Sequence, residues 1–278
     1  MPRMFIFGLG YTASHIARLL EGRGWEVVST GRDGTLSFDD AGSVRLALAD
    51  ASHMLSSVPP GGEGLDPVLE RYGDSFGGKW LGYLSSTGVY GDTGGGWVDE
   101  STATGTGRRT ARAECDGHWL TLGARVFRLP GIYGPGRSAL ERVRAGQAHR
   151  IDLPGQVFSR VHVDDIASGV IAALDAPPGP YNLADDLPCS QNAVIEEACR
   201  LLRISLPPLQ SLGEAGLSPM ASAFYAENRR VANGKAKREL GWRPRFPTYR
   251  EGLRALVSAT SNPASASAEP AIASPVQR

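Results

Sequence analysis

Near the start of the chain, Gly8-Leu9-Gly10-Tyr11-Thr12-Ala13 sets two glycines two apart and a small residue three further on. The segment follows an apolar run, Met4-Phe5-Ile6-Phe7, and precedes a stretch of helical periodicity. In that setting each residue type has a task. Gly8 permits a tight turn, Gly10 has no side chain to hold the backbone away from a pyrophosphate, and Ala13 lets helix and strand pack closely. The N–H groups and dipole of the helix opening there then face phosphate oxygens. Gly8, Leu9, Gly10, Tyr11 and Thr12 are therefore expected to bind a nicotinamide dinucleotide.

The next strand sets which dinucleotide. An acid at its end would accept a bond from the ribose hydroxyl of NAD, but the chain reads Val27-Val28-Ser29-Thr30-Gly31-Arg32, with no acid at that point. Arg32 suits a 2′-phosphate, which its planar fork can grip with two bonds. A charged bond of about 1.5–3 kcal/mol corresponds to roughly a ten- to hundredfold preference for NADP, with NAD the alternative. Asp33 stands next door, and a solvated loop arginine is the plainer reading of Arg32.

These residues need a scaffold, and the hydrophobic pattern supplies one. Strands are expected at Arg3–Phe7, Glu26–Ser29, Met54–Val58, Trp80–Ser85 and Val126–Leu129, with helices at Ser14–Glu21, Ser43–Ala49, Asp66–Phe76 and Arg108–Leu120 between them. Alternation of this kind builds a parallel sheet. Further on, Asp165–Leu174 and Gln191–Leu202 read as helices, Tyr181–Leu183 as a short strand, and Lys235–Leu240 and Tyr249–Val257 as the last helices. The fold class is thus α/β, a Rossmann doubly wound parallel sheet with a smaller C-terminal substrate-capping part. Residues 1–130 form the nucleotide-binding core, completed by about 164–185, while 131–163 and 186–260 form the cap. Residues 261–278 are rich in Ala, Ser and Pro and bury too little to offset their ordering entropy, so a disordered tail is expected.

Composition bounds the function. The 278 residues carry a formal net charge of +0 without blocks of like charge, which speaks against nucleic acid or an anionic membrane as partner. No apolar run approaches the roughly 20 residues that span a bilayer. The first apolar run is also too short for a signal-peptide core. Cys115, Cys189 and Cys199 lack metal spacing and read as reduced thiols of a cytoplasmic protein; no metal site is expected.

Several segments, in order, resemble the extended short-chain dehydrogenases/reductases, the superfamily of nucleotide-sugar epimerases and dehydratases. They are Gly8 through Ala17, Ser85-Ser86-Thr87-Gly88-Val89-Tyr90-Gly91-Asp92, the run Arg128 through Gly136, Arg160 through Ala167, and Tyr181-Asn182-Leu183. The turn Ser57-Val58-Pro59-Pro60 is similar to that of an atypical bacterial subgroup. The resemblance implies that Ser57, Val58, Ser85 and Pro130 join the cofactor site and that Ser86 holds a substrate oxygen. It implies a small-molecule substrate, such as a nucleotide sugar or another carbonyl or hydroxyl compound, and a homodimer.

The resemblance breaks at the proton donor. The family's Tyr-x-x-x-Lys pair places both side chains on one helix face, where the cation lowers the phenol pKa. None of the eight tyrosines here has Lys four residues on. Aligning the helix by Glu114 puts Thr106 and Thr110 at those positions, and neither side chain titrates. Arg108, Arg109 and Arg112 can stabilise charge or bind an anion, but not serve as a base. His162 titrates near neutral pH in its ordinary state and is a speculative alternative. Asp164 and Asp165 read as caps of the following helix. Arg160 reads as a contact for a substrate phosphate or as a surface ion pair. The expected function is an NADP-preferring oxidoreductase or epimerase-like protein with a degenerate catalytic site. The alternative is a catalytically silent NAD(P)-binding sensor.

Overall fold

Alternation along β1 (Arg3–Phe7) decides the architecture. Met4 and Ile6 enter one core and Phe5 and Phe7 another, and all four are fully buried. A strand buried on both faces belongs inside a sheet covered by helices on each side. The computed structural model describes residues 1–61, 64–106, 110–217, 222 and 224–261.

In chain order the first half runs α1 (Tyr11–Glu21), β2 (Glu26–Ser29), α2 (Ala41–Asp50), β3 (His53–Ser56), α3 (Pro67–Tyr72), β4 (Trp80–Ser86), β5 (Trp97–Val98), α4 (Thr110–Thr121) and β6 (Arg125–Leu129). There follow β7 (Gly131–Tyr133), α5 (Ala139–Arg144), β8 (Arg150–Ile151), β9 (Arg160–His162), α6 (Val163–Ala172) and β10 (Gly179–Asn182). The chain continues with α7 (Gln191–Leu202), β11 (Leu209–Gln210), β12 (Arg230–Val231) and helices Gly234–Glu239 and Tyr249–Ser261.

The main sheet has six parallel strands in the order β10-β6-β4-β3-β1-β2. Helices α1 and α6 cover one face through Ile16, Leu20, Ile166 and Val170, and α2, α3 and α4 cover the other through Leu48, Tyr72 and Trp119. Because β1 has β2 on one side and β3 on the other, the winding reverses there. A crevice opens above the carboxyl ends of the strands at such a point. A third core, formed by α5, α7 and the final helix with Leu140, Val143, Val194, Ala198 and Leu253, stands over it. The short pair β5–β12 joins the first half of the chain to the second, while β7–β9 and β8–β11 lie within the second. Among the described residues no helix is long and apolar enough to cross a membrane.

The doubly wound sheet is the one expected, with corrections at element ends. Helix α1 begins at Tyr11 because Gly10 is its N-cap. Asp66 caps α3, which stops at Tyr72 and gives way to a 3-10 turn over Gly73–Ser75. Asp164 and Asp165 do not cap α6, since His162 does so by accepting the Asp164 N–H. Asp165 instead accepts the N–H groups of Arg245 (2.6 Å) and Phe246 (3.1 Å) and holds the last connection in place. Trp242 anchors the same connection, its indole N–H donating to the Asp165 carbonyl (3.1 Å). Gly107, Arg108, Arg109 and positions 262–278 of the expected tail lie outside the described residues.

Candidate functional site

The turn after β1 is fastened to the end of β2. The Leu9 N–H donates to the Thr30 carbonyl (2.7 Å) and the Gly8 N–H to the Thr30 hydroxyl (3.2 Å). Gly8 and Gly31 take φ of +81° and +125°, a region that disfavours other residues. A Cβ on Gly31 would stand 2.8 Å from the Leu9 nitrogen. Gly10 differs, with nothing within 4 Å of its Cβ position. No side chain caps α1 and its first turn carries no acid, so its leading N–H groups remain open towards that space. Room, donors and dipole sign together fit a pyrophosphate. Arg32 lies exposed just past Gly31.

A cleft of about 790 Å³ extends along the ends of β4 and β6 and under the third core. Thr12, Ser57, Ser85, Ser86 and Pro130 line it together. Gly8, Leu9, Gly10 and Val58 shape the adjoining turn, where the Val58 side chain closes on Gly8 at 3.1 Å from its Cβ position. Tyr11 reaches the loop after β7 instead, its hydroxyl donating to the Pro135 carbonyl (3.1 Å) with the Arg137 guanidinium over its ring.

The two serines of the β4 end have different polarities. Ser86 Oγ accepts the Gly88 N–H (3.1 Å), which leaves the hydroxyl proton to donate into the cleft. Ser85 donates to Asp116 Oδ2 (2.7 Å), which leaves its lone pairs to accept. One can hold a substrate oxygen and the other a donor.

Of the two threonines aligned with the family's reactive pair, neither lines the cleft. Thr106 precedes α4 and its hydroxyl donates to the Tyr90 carbonyl (3.0 Å), while Thr110 is exposed at the start of the helix. The residues four apart that turn inward are Arg112 and Asp116. Arg112 lines the cleft and donates to the Tyr83 hydroxyl (3.0 Å). Asp116 is 1% exposed and accepts two bonds from Arg128, from Nη2 at 2.7 Å and Nε at 3.1 Å. Arg128 also donates to the Tyr90 hydroxyl (3.0 Å), which donates to Asn182 Oδ1 (2.8 Å). Burial pushes the Tyr90 phenol up to about 12, so it holds its proton.

His162 does not line the cleft. It is 2% exposed, its Nδ1 is occupied by the α6 cap, and burial lowers its pKa to about 4. A ring that stays neutral in this way serves the cap rather than proton transfer. Arg160 is not a surface ion pair: it is buried at the cleft wall and bonded to neutral acceptors. Sequence reasoning missed Asp116 and Arg128 as partners. The signal was a lone charge within the apolar strand Val126-Phe127-Arg128-Leu129, since buried arginines are almost always paired.

A doubly wound sheet with a glycine turn at its switch point, beside a serine-bearing strand end and a roofed cleft, defines a Rossmann-fold protein of epimerase/dehydratase architecture. No family model matches the chain. A conserved protein of unknown function from Silicibacter pomeroyi is 40% identical, with 93% of this chain and 99% of that one aligned and a TM-score of 0.82. The UDP-glucose 4-epimerase of Thermus thermophilus, solved with NAD, shares the fold at 20% identity and a TM-score of 0.73, over 94% of this chain and 99% of that one. A 3-diazoavenalumate denitrifying reductase from a Streptomyces species is 30% identical over 144 residues, 48% of this chain. That match spans 46% of the reductase, about half the length of this curated relative. The chain belongs to one family with the Silicibacter protein and shares its fold with the epimerase.

Proposed function

We propose that the protein is an NADPH-preferring reductase in which Ser86 polarises the substrate and no side chain of the cleft acts as a titrating base. The bound nicotinamide would supply the hydride, and solvent the proton that completes the reduction. The observation that carries this reading is the open space before Gly10 at the uncapped start of α1, continuous in the fold with a cleft that Ser86 lines. Gly8, Leu9, Gly10 and Thr12 would hold the pyrophosphate, and Arg32 the 2′-phosphate. Ser57, Val58, Ser85 and Pro130 would flank the nicotinamide half. The capping part would be built from 131–163 and 186–260.

Reduction is favoured over epimerisation because the cleft residues offer little acid–base chemistry. No Lys or His is among the described residues that line the cleft. Glu141 is held by the Ser138 N–H and hydroxyl, and Glu227 pairs with Arg229 (2.8 Å). Burial raises the Tyr133 phenol, whose oxygen is itself buried. The Streptomyces relative is also named as a reductase. A sensor would have no need of the roofed cleft.

The test is a titration with NADPH and NADH followed by nicotinamide fluorescence. Gly10→Ala should fold normally, since its Cβ meets nothing, yet lose at least tenfold in affinity for both cofactors. Arg32→Ala should lose roughly ten- to a hundredfold for NADPH alone. Wild-type protein that binds neither cofactor would sink the reading.

A further inference from the structure

We infer that the cleft takes an amphiphilic carboxylic acid, its carboxylate held at Arg160 and its apolar body laid against Phe158, Val194 and Leu253. This names the substrate class for the reading above and rests on it only in calling the ligand a substrate. The binding site stands on its own geometry.

Two arginines among the described residues are buried, and they are treated differently. Arg128, 3% exposed, is matched by the two-bond contact with Asp116. Arg160, 7% exposed, lines the cleft with no carboxylate in ion-pair range among the described residues. Its Nη1 donates to the Phe158 carbonyl (2.9 Å) and to the carbonyl (3.2 Å) and sulfur (3.1 Å) of Cys189. Its Nη2 donates to Gln191 Oε1 (3.1 Å) and the Ser190 carbonyl (3.4 Å). These acceptors fix the plane of the guanidinium but leave its charge uncompensated, and its Nε–H has no acceptor among the described residues. A buried cation without a counter-ion is costly, and a ligand carboxylate removes that cost. Asp185, the carboxyl that Arg160 acts on through space, does not supply the charge. Its Oδ2 is buried without a partner among the described residues, and burial pushes the group up to about 8, so it carries a proton at neutral pH.

The rest of the cleft agrees in sign. Arg112, Arg137 and Arg142 also line it without an ion pair among the described residues, whereas its carboxylates Glu141 and Glu227 are engaged. Such a wall attracts an anion. Beside Arg160 the surface is apolar. The Phe158 ring lies 6.0 Å from the guanidinium carbon and stacks on Phe224 at 5.0 Å and 22°. One unpaired guanidinium charge with a free Nε–H, beside an apolar wall, matches a carboxylate with a hydrophobic body. A diphosphate would call for several such donors converging at one point.

The experiment is calorimetric titration of the protein, with and without NADPH, using benzoate, cinnamate and hexanoate, their neutral amides, and UDP. At least one acid should bind tenfold or more tightly than its amide. Arg160→Lys, which keeps the charge but loses the anchored guanidinium plane and its free Nε–H, should weaken that acid at least tenfold and leave the amide unchanged. Exposed Arg142→Ala should weaken it a few-fold and flatten its salt dependence, a check independent of any folding defect at Arg160. Acids binding no better than amides would overturn the inference. So would acid binding indifferent to both substitutions in protein that still binds NADPH, or UDP binding that depends on Arg160 where acids fail. Selective acid binding in a protein that ignores NADPH would keep this site and remove the cofactor reading.

Discussion

Each hydroxyl of the serine pair has a polarity set by what it already touches. Ser86 spends its acceptor capacity on the Gly88 N–H and keeps a proton for the cleft. If that proton stabilises charge developing on a substrate oxygen, Ser86→Ala should lower kcat/KM by about 10²-fold or more. NADPH affinity and the urea midpoint should stay near wild type, because the serine is partly exposed and its cap is a single bond. Steady-state kinetics beside a cofactor titration would check this. A parallel loss of cofactor binding would instead mark Ser86 as part of the nicotinamide pocket.

Among the elements, the β1–α1 turn depends on a neighbour distant in sequence. The Gly31 backbone packs against Leu9 so closely that any side chain there must move the turn, and its φ of +125° adds strain. Gly31→Ala is expected to cost about 1–3 kcal/mol in urea unfolding and to weaken NADPH binding at least tenfold, although residue 31 would touch no phosphate. Stability and affinity should fall together in Gly31→Ala and separate in Gly10→Ala. Helix α4 shows the same dependence on partners. Its inward pair is Arg112 and Asp116 because β4 and β6 present Tyr83, Ser85 and Arg128 to that face.

The pH dependence of stability belongs to the whole molecule, because it comes from groups that only folding buries. In the unfolded chain Asp185 is ionised above about pH 4, whereas in the folded protein it keeps its proton up to about 8. Its raised pKa therefore favours folding at low pH, and that contribution is lost as pH rises towards 8. His162 has the opposite sign: lowered to about 4, it favours folding above its ordinary value and loses that as pH falls from 6.5. Between pH 6.5 and 8 only Asp185 of the two still acts. Wild-type stability should drop by about 2 kcal/mol over that interval, and Asp185→Asn should abolish the drop. Urea unfolding at the two pH values measures it, and an equal drop in the variant would refute the assignment.

What the chain determined by itself was local and periodic. The run Met4 to Phe7, the glycines at 8 and 10 and the apolar spacing of Gln191–Leu202 each specify geometry through neighbours a few residues away, so strand, turn and helix were legible. So was the order of strands and helices that makes a doubly wound sheet. Tertiary structure alone decided which charges meet. Asp116 and Arg128 are joined across a strand and a helix, His162 is turned from a titrating candidate into a buried cap, and Arg160 is carried to a cleft wall with its charge unmatched. Burial and partnership set the properties of an ionisable group, and both depend on segments that only the folded chain brings together.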